Sequence, residues 1–491
     1  MRRDCHFSRK LLLLASVLTA CVATAQPSQD SARERRVWYI QAGASGNGLA
    51  QSSPFGSPEQ IEQASQPGDI LFLLPAAVPL DGGLNLKSGQ ALLGVRSESG
   101  AYPVLTNRSQ ERNGGHGVIL ADRSRVEGIA IRDALGSGIY GENVSGAEIT
   151  DVVINNANTG RLGTARELLG TPIPQGGIWF LAAGQGREVN LEVHQTRVLD
   201  TAEMGIGVLV EDGAKSTVLV LDSEVLGDQA VEGRNWGISG LAVGASSSLN
   251  IEVIRSSVSG RRGRGARNIL LSPSLGAKVS GLIHQSYVGE SGQDGVIAAP
   301  ILLPAEIDLE IVESTIENAA QSNVEGTMLA LPQNDESAAV ASLVNIAISR
   351  STIRRAGQRP GFEGEERNVV MTGSPVGGPA SDSPNPEELF QRLRGRYRLG
   401  ITDSVIDSSD SYGLTVGRPR DGKVADPGQY TVFLRGNRFT SNQAGDILIE
   451  ASDSQVDAQE NCWVSADGQE KARVITSGPV ANVSDPVPCS R

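Results

Sequence analysis

One phrase recurs through most of this chain, and a recurring phrase constrains a fold more tightly than any single motif. It runs apolar-x-apolar-x-x-Ser-x-apolar and reads "LEVHQTRV", "VLVLDSEV", "IEVIRSSV", "GLIHQSYV", "LEIVESTI", "IAISRSTI", "LGITDSVI" and "VFLRGNRF". Its small polar residue falls at Thr196, Ser223, Ser256, Ser286, Ser314, Ser351, Ser404 and Asn437, at intervals of 27, 33, 30, 28, 37, 53 and 33 residues. The local pattern is tight while the period is loose, so insertions fall in loops. A second phrase, a Gly, Asn or Asp opening a short apolar strand, precedes it: "GIYG" at Gly138, "GIWF" at Gly177, "GIGV" at Gly205, "GISG" at Gly237, "NILL" at Asn268, "GVIA" at Gly295, "GLTV" at Gly413 and "DILI" at Asp446.

Alternation with period two over four or five residues predicts strands, and no stretch after residue 100 holds a helical apolar period. Two or three short strands in roughly thirty residues leave no room for helical crossovers, so each repeat coils as one rung of a solenoid of parallel sheets. The fold class is therefore all-β, a single-domain parallel β-helix solenoid of about ten coils. With 58 Gly and only 4% aromatic residues, the composition suits many turns around an aliphatic filling. Leu191, Val193, Val218, Val220, Ile251, Val253, Leu309 and Ile311 point inward, as do Val198, Val225, Val258 and Val288 after the polar position. The Ser/Thr/Asn column then sits at a corner, stacked rung on rung and bonded to backbone that the bend leaves unpaired.

"VWYIQAGASGNG" followed by "SPFGSPEQIEQASQPGDILFLLPAAVPLDGGLNLKSGQALLGV" resembles the N-terminal cap and first coil of the pectin-lyase-like group of right-handed parallel β-helices. The resemblance implies a strand, a capping helix, a Pro-Gly-Asp turn and a first coil over residues 37–95, then the helical body over 96–460 with insertions at 159–175 and 359–397. It implies the fold far more than an activity, because the group holds polysaccharide lyases, hydrolases, epimerases, adhesins and proteins with no known reaction.

Residues 1–25 read as an export signal, a basic leader followed by ten apolar residues, too few to span a bilayer. Two cleavage readings stay open. "LTAC" at residues 18–21 resembles a lipobox that would lipidate Cys21, and "ATAQ" resembles an ordinary signal-peptidase site; residues 26–36 follow as a polar tether. The formal charge of −13 becomes −16 without the leader, which argues against nucleic-acid binding and leaves a lipid anchor as the one expected membrane contact. Cys462 and Cys489 remain as a pair for a disulfide in a C-terminal cap over 461–491.

For chemistry, the sequence shows no column of acidic residues for calcium, no Asp-Asp motif beside a Gly-His for paired-carboxylate hydrolysis, no Walker loop, and in "GASGNG" no dinucleotide site; no cofactor or metal is called for. Tyr and Trp are too sparse to predict an aromatic stacking platform. His116, in "GGHG", reads as a turn histidine, and His194 and His284 share an outward column three rungs apart, too far for one metal. Arginine is the suggestive feature, 37 Arg against six Lys. Arg255, Arg261, Arg262, Arg264 and Arg267 cluster after one corner, and Arg350, Arg354, Arg355 and Arg359 around another. Guanidinium forks match carboxylates and sulfates, so Arg255, Arg261, Arg262, Arg264, Arg267, Arg354 and Arg355 are expected to line a wall for an acidic polysaccharide. A lyase would use one Arg to neutralise a uronate and a second Arg or a His as base, with Arg261, Arg264 and His284 as the catalytic candidates. The alternative is a non-catalytic surface adhesin or matrix protein.

Overall fold

The computed structural model describes residues 34–168, 171–227, 235–263, 265–301, 304–328, 342–357, 366–373, 395–417, 428–451, 453–464, 472–476, 481–484, 487 and 489. Cys21, Arg264 and Arg359 lie outside them. Residues 37–491 form one compact unit built on three parallel sheets, the first of fifteen strands and the other two of thirteen each. The coil thus extends on both sides of the turns that carry the Ser phrase. One coil takes a second-sheet strand such as Met204–Glu211, a tight turn, a first-sheet strand Lys215–Leu221, a corner, and a short third-sheet strand Glu224–Leu226. Each strand pairs in register with its equivalent one coil away, for example Val218 with Leu191 and Ile251.

The corner explains the polar phrase. The residue before each Ser takes a left-handed backbone, as at Gln195, Asp222, Arg255, Gln285, Glu313, Arg350 and Asp403, which turns the chain out of the first sheet. The next N–H no longer faces a strand, and it donates to the hydroxyl one coil on: Ser223 N to Ser256 Oγ, Ser256 N to Ser286 Oγ and Ser286 N to Ser314 Oγ, each 3.1 Å. The ladder passes to amides at Asn437 and Asn461, where Ser404 N donates to Asn437 Oδ1 at 3.0 Å and Asn437 N to Asn461 Oδ1 at 2.9 Å. Each bond is worth about 1 kcal/mol net, and each would cost more to leave unmade.

The helix Pro58–Ala64 buries Ile61 in the main core and is tied to the first coil, since Asn85 N donates to Glu62 Oε1 at 2.7 Å. The Asp of the Pro-Gly-Asp turn is buried and accepts from Gln66 N at 2.8 Å and from the Trp38 indole at 2.9 Å. Insertion 159–175 contains an antiparallel hairpin, Gly163–Leu168 with Thr171–Pro174. Insertion 359–397 contains the second-sheet strand Arg367–Thr372, and its last two residues open the first-sheet strand Arg396–Thr402. At the other end a disulfide joins Cys462 to Cys489, and Cys462–Val464, Val474–Thr476 and Ala481–Val483 add one more strand to each sheet.

Candidate functional site

First-sheet strands alternate between buried and solvated residues, whereas second-sheet strands such as Gly176–Ala183 and Met204–Glu211 are buried along nearly their whole length. A parallel strand covered on both faces reads as a continuous apolar run, which is how "GIWFLAA" and "GIGVLV" read. The inward residues join the solenoid core. The outward ones form a separate apolar cluster of Trp179, Leu181, Met204, Leu209, Leu241, Leu270 and Ile297, to which the hairpin adds Ile173 and against which Trp236 packs. Trp179 lies over Gly207, where an added Cβ would come within 2.5 Å of its ring. Two of the four tryptophans, Trp179 and Trp236, thus share one face, a pairing that composition does not show.

Charge follows on the same face, a few coils along. The strand starts stack in register as Trp236, Arg267, Asp294, Ser322 and Arg367. Arg267 Nε donates to Asp294 Oδ2 at 3.1 Å, and the Asp294 side chain is 1% exposed. Glu325 and Arg367 are also buried. Burial pushes the Asp294 carboxyl above the usual range, opposed by Arg267 and by a hydrogen bond with the Glu325 carboxyl. A carboxyl held toward its protonated form can share a hydrogen bond with a second carboxyl beside it. The pair is not an Asp-Asp motif beside a Gly-His, so it carries no local signature in the sequence. Asp294 and Glu325 are 31 residues apart in sequence, and only the stacking of one coil on the next brings them together.

The backbone beneath these side chains is locked by a second polar ladder, from the residue after each strand start. Asn268 Nδ2 donates to Gly289 O at 2.6 Å, Asn323 Nδ2 to Asn368 Oδ1 at 2.8 Å, and Asn368 Nδ2 to Asp407 O at 2.8 Å. The sequence carried this signal as "RNIL", "SNVEG" and "RNVV", in which the Asn marks the turn and the residue before it faces out.

Among the described residues, the arginines read from the sequence do not form one wall. Arg255 pairs with Asp222 at the exposed corner of the first sheet at 2.8 Å, and Arg262 with Glu290 at 3.0 Å. Arg354 and Arg355 both bond Glu317 beside the third sheet, and only Arg267 belongs to the second-sheet cluster. Arg261 is fully buried inside the coil. Its guanidinium donates to Thr201 O at 3.0 Å, Thr201 Oγ1 at 3.1 Å and Asn235 Oδ1 at 2.8 Å, and burial lowers its pKa to about 10. It is a pillar between coils rather than a surface fork. His284 stands on the first sheet, 3.5 Å from Glu313, in the column it shares with His194. His116 is buried, stacked on Tyr140, and its Nδ1 accepts from Ser137 N at 3.0 Å; burial lowers its pKa to about 4. Among the described residues no group of three or more His, Cys, Asp or Glu is placed to hold a metal ion.

No family model matches the chain, and no curated protein matches it. Among solved structures it is similar to the periplasmic alginate epimerase AlgG, with 7% identity over 87% of this chain and 84% of that one at a TM-score of 0.41. It is similar to the A-module of the Azotobacter vinelandii mannuronan C-5 epimerase AlgE6, with 12% identity over 91% and 96% at a TM-score of 0.43. It is also similar to the Dettilon tailspike protein, with 12% identity over 84% and 68% at a TM-score of 0.48.

Proposed function

We propose that this is an exported β-helix protein that takes an acidic polysaccharide at its second sheet and cleaves it by β-elimination at Arg267, Asp294, Glu325 and Arg367. The observation that carries this reading is the buried carboxyl pair Asp294 and Glu325, stacked between Arg267 and Arg367 on the second sheet. Burial holds Asp294 toward its neutral form, so it offsets less of the charge of the two guanidiniums, which favours a uronate carboxylate. An arginine neutralising that carboxylate acidifies the neighbouring C5–H. The ionised carboxyl takes the C5 proton, the C4–C5 double bond forms, and the C4–O bond breaks as the protonated carboxyl gives its proton to the leaving oxygen. Acid and base thereby pass to the carboxyl pair, while Arg261 and His284 are held elsewhere in the fold. Export is supported by the disulfide, which persists in oxidising compartments; lipidation at Cys21 remains part of this proposal.

A non-catalytic binding role is favoured by one observation, that Asp294, Glu325 and Arg367 are all buried. The test is to incubate residues 26–491, oxidised, with alginate, pectate and glycosaminoglycans while following binding and the ultraviolet absorbance of the new double bond. Binding with product formation supports the lyase reading, and binding without product leaves the adhesin.

A further inference from the structure

The first sheet carries a groove that the second-sheet chemistry does not use. It has a volume of about 390 Å³, opens to solvent, and spans four successive coils. Its shape follows from which outward side chains are long and which are short. One column reads Glu188, Lys215, Ser248, Lys278, Glu306 in register, and the next reads Asn190, Thr217, Asn250, Ser280, Asp308. Lys215 is drawn one coil back by Glu188 at 3.2 Å, and Lys278 one coil forward by Glu306 at 2.6 Å. The two ammoniums therefore lean apart and leave a gap two coils wide, roughly 10 Å at strand spacing. Ser248 lies in the middle of the gap, and Thr217, Asn250 and Ser280 line it beside Ser248. The chain has only six Lys, and two of them stand at this one place.

We infer that this groove is a second saccharide site, non-catalytic, holding a segment of acidic glycan with its hydroxyls on Ser248, Thr217, Asn250 and Ser280 and its carboxylates toward Lys215 and Lys278. Short polar side chains on a rigid sheet offer donors and acceptors without an ordering cost. A lysine already in an ion pair exchanges one exposed carboxylate for another at little cost. The choice of an acidic glycan rests on the reading of the second-sheet cluster, whereas the groove itself does not. A polymer held here would stay on the molecule between cleavage events, an avidity effect rather than a tighter active site.

The test uses the full exported chain carrying D294N and E325Q, so that no probe is consumed, and oligosaccharides cut from pectate and alginate as ligands in calorimetry. S248W, which fills the gap, and K215A/K278A, which removes the two ammoniums and no core packing, are each added to that parent. The expected result is an affinity loss of about tenfold or more in both. Unchanged affinity in both, or a parent that binds neither oligosaccharide, overturns the inference. Failure of the second-sheet reading would appear separately, as wild-type protein that forms no product.

Discussion

Arg261 and Arg262 are neighbours in the chain and opposite in circumstance. Arg261 is fully buried with its fork on Thr201 and Asn235, whereas Arg262 shares solvent with Glu290. Replacing Arg261 by Ala removes three hydrogen bonds and leaves a cavity, so denaturant midpoints should register a loss of ~3 kcal/mol or more. Arg262→Ala should cost less than ~1 kcal/mol. "GRRGRGAR" reads as a basic surface patch because nothing local distinguishes its first Arg from its second; the difference arises from the coil beneath. His116 makes a pH prediction. Its pKa is lowered to about 4 from an unfolded value of about 6.5, so the unfolded chain binds the proton first as pH falls. Its contribution is fully present above pH ~6.5 and is lost progressively down to pH ~4, on the order of 3 kcal/mol in all. The imidazole signals in proton NMR should titrate near pH 4, and H116N, which keeps an acceptor for Ser137 N, should flatten that part of the stability profile.

At the scale of elements, the corner ladder was legible and the site was not. The ladder repeats one residue type at one place in every phrase, because each corner presents the same orphaned N–H. Ser286 accepts from Ser256 N at 3.1 Å and donates to His284 O at 2.9 Å, so S286A should lower stability by about 1–3 kcal/mol in urea unfolding. S404N should be milder than S404A, since the amide of Asn437 occupies the same column one coil later. The second-sheet cluster has no such repetition. Its column changes from Trp to Arg to Asp to Ser to Arg, and its carboxyls come from strand positions three residues out of phase. The phrase that announces these strands identifies the apolar residues and says nothing of the single outward residue that precedes them. The insertions were visible as breaks in the repeat, while the strand Arg367–Thr372 inside the longer one was masked by its Gly/Pro-rich surroundings.

At the scale of the whole molecule, a solenoid distributes stability coil by coil, and its last coil lacks a neighbour on one side. The disulfide between Cys462 and Cys489 closes a 27-residue separation there, worth about 3.5 kcal/mol by loop entropy. Reduction should raise hydrogen exchange in the strands Val474–Thr476 and Ala481–Val483 while leaving the central coils protected. The same architecture separates roles around the coil, with the ladders at corners, a polar groove on the first sheet, and the buried carboxyls and arginines on the second. The central claim is that the second-sheet cluster carries the chemistry. It is tested most directly by the initial rate of double-bond formation from alginate, pectate and glycosaminoglycans by wild type, D294N, E325Q and R262A. Losses of about a hundredfold or more in D294N and E325Q, with R262A close to wild type, are predicted. Full activity in D294N and E325Q, or an equal loss in R262A, would contradict it.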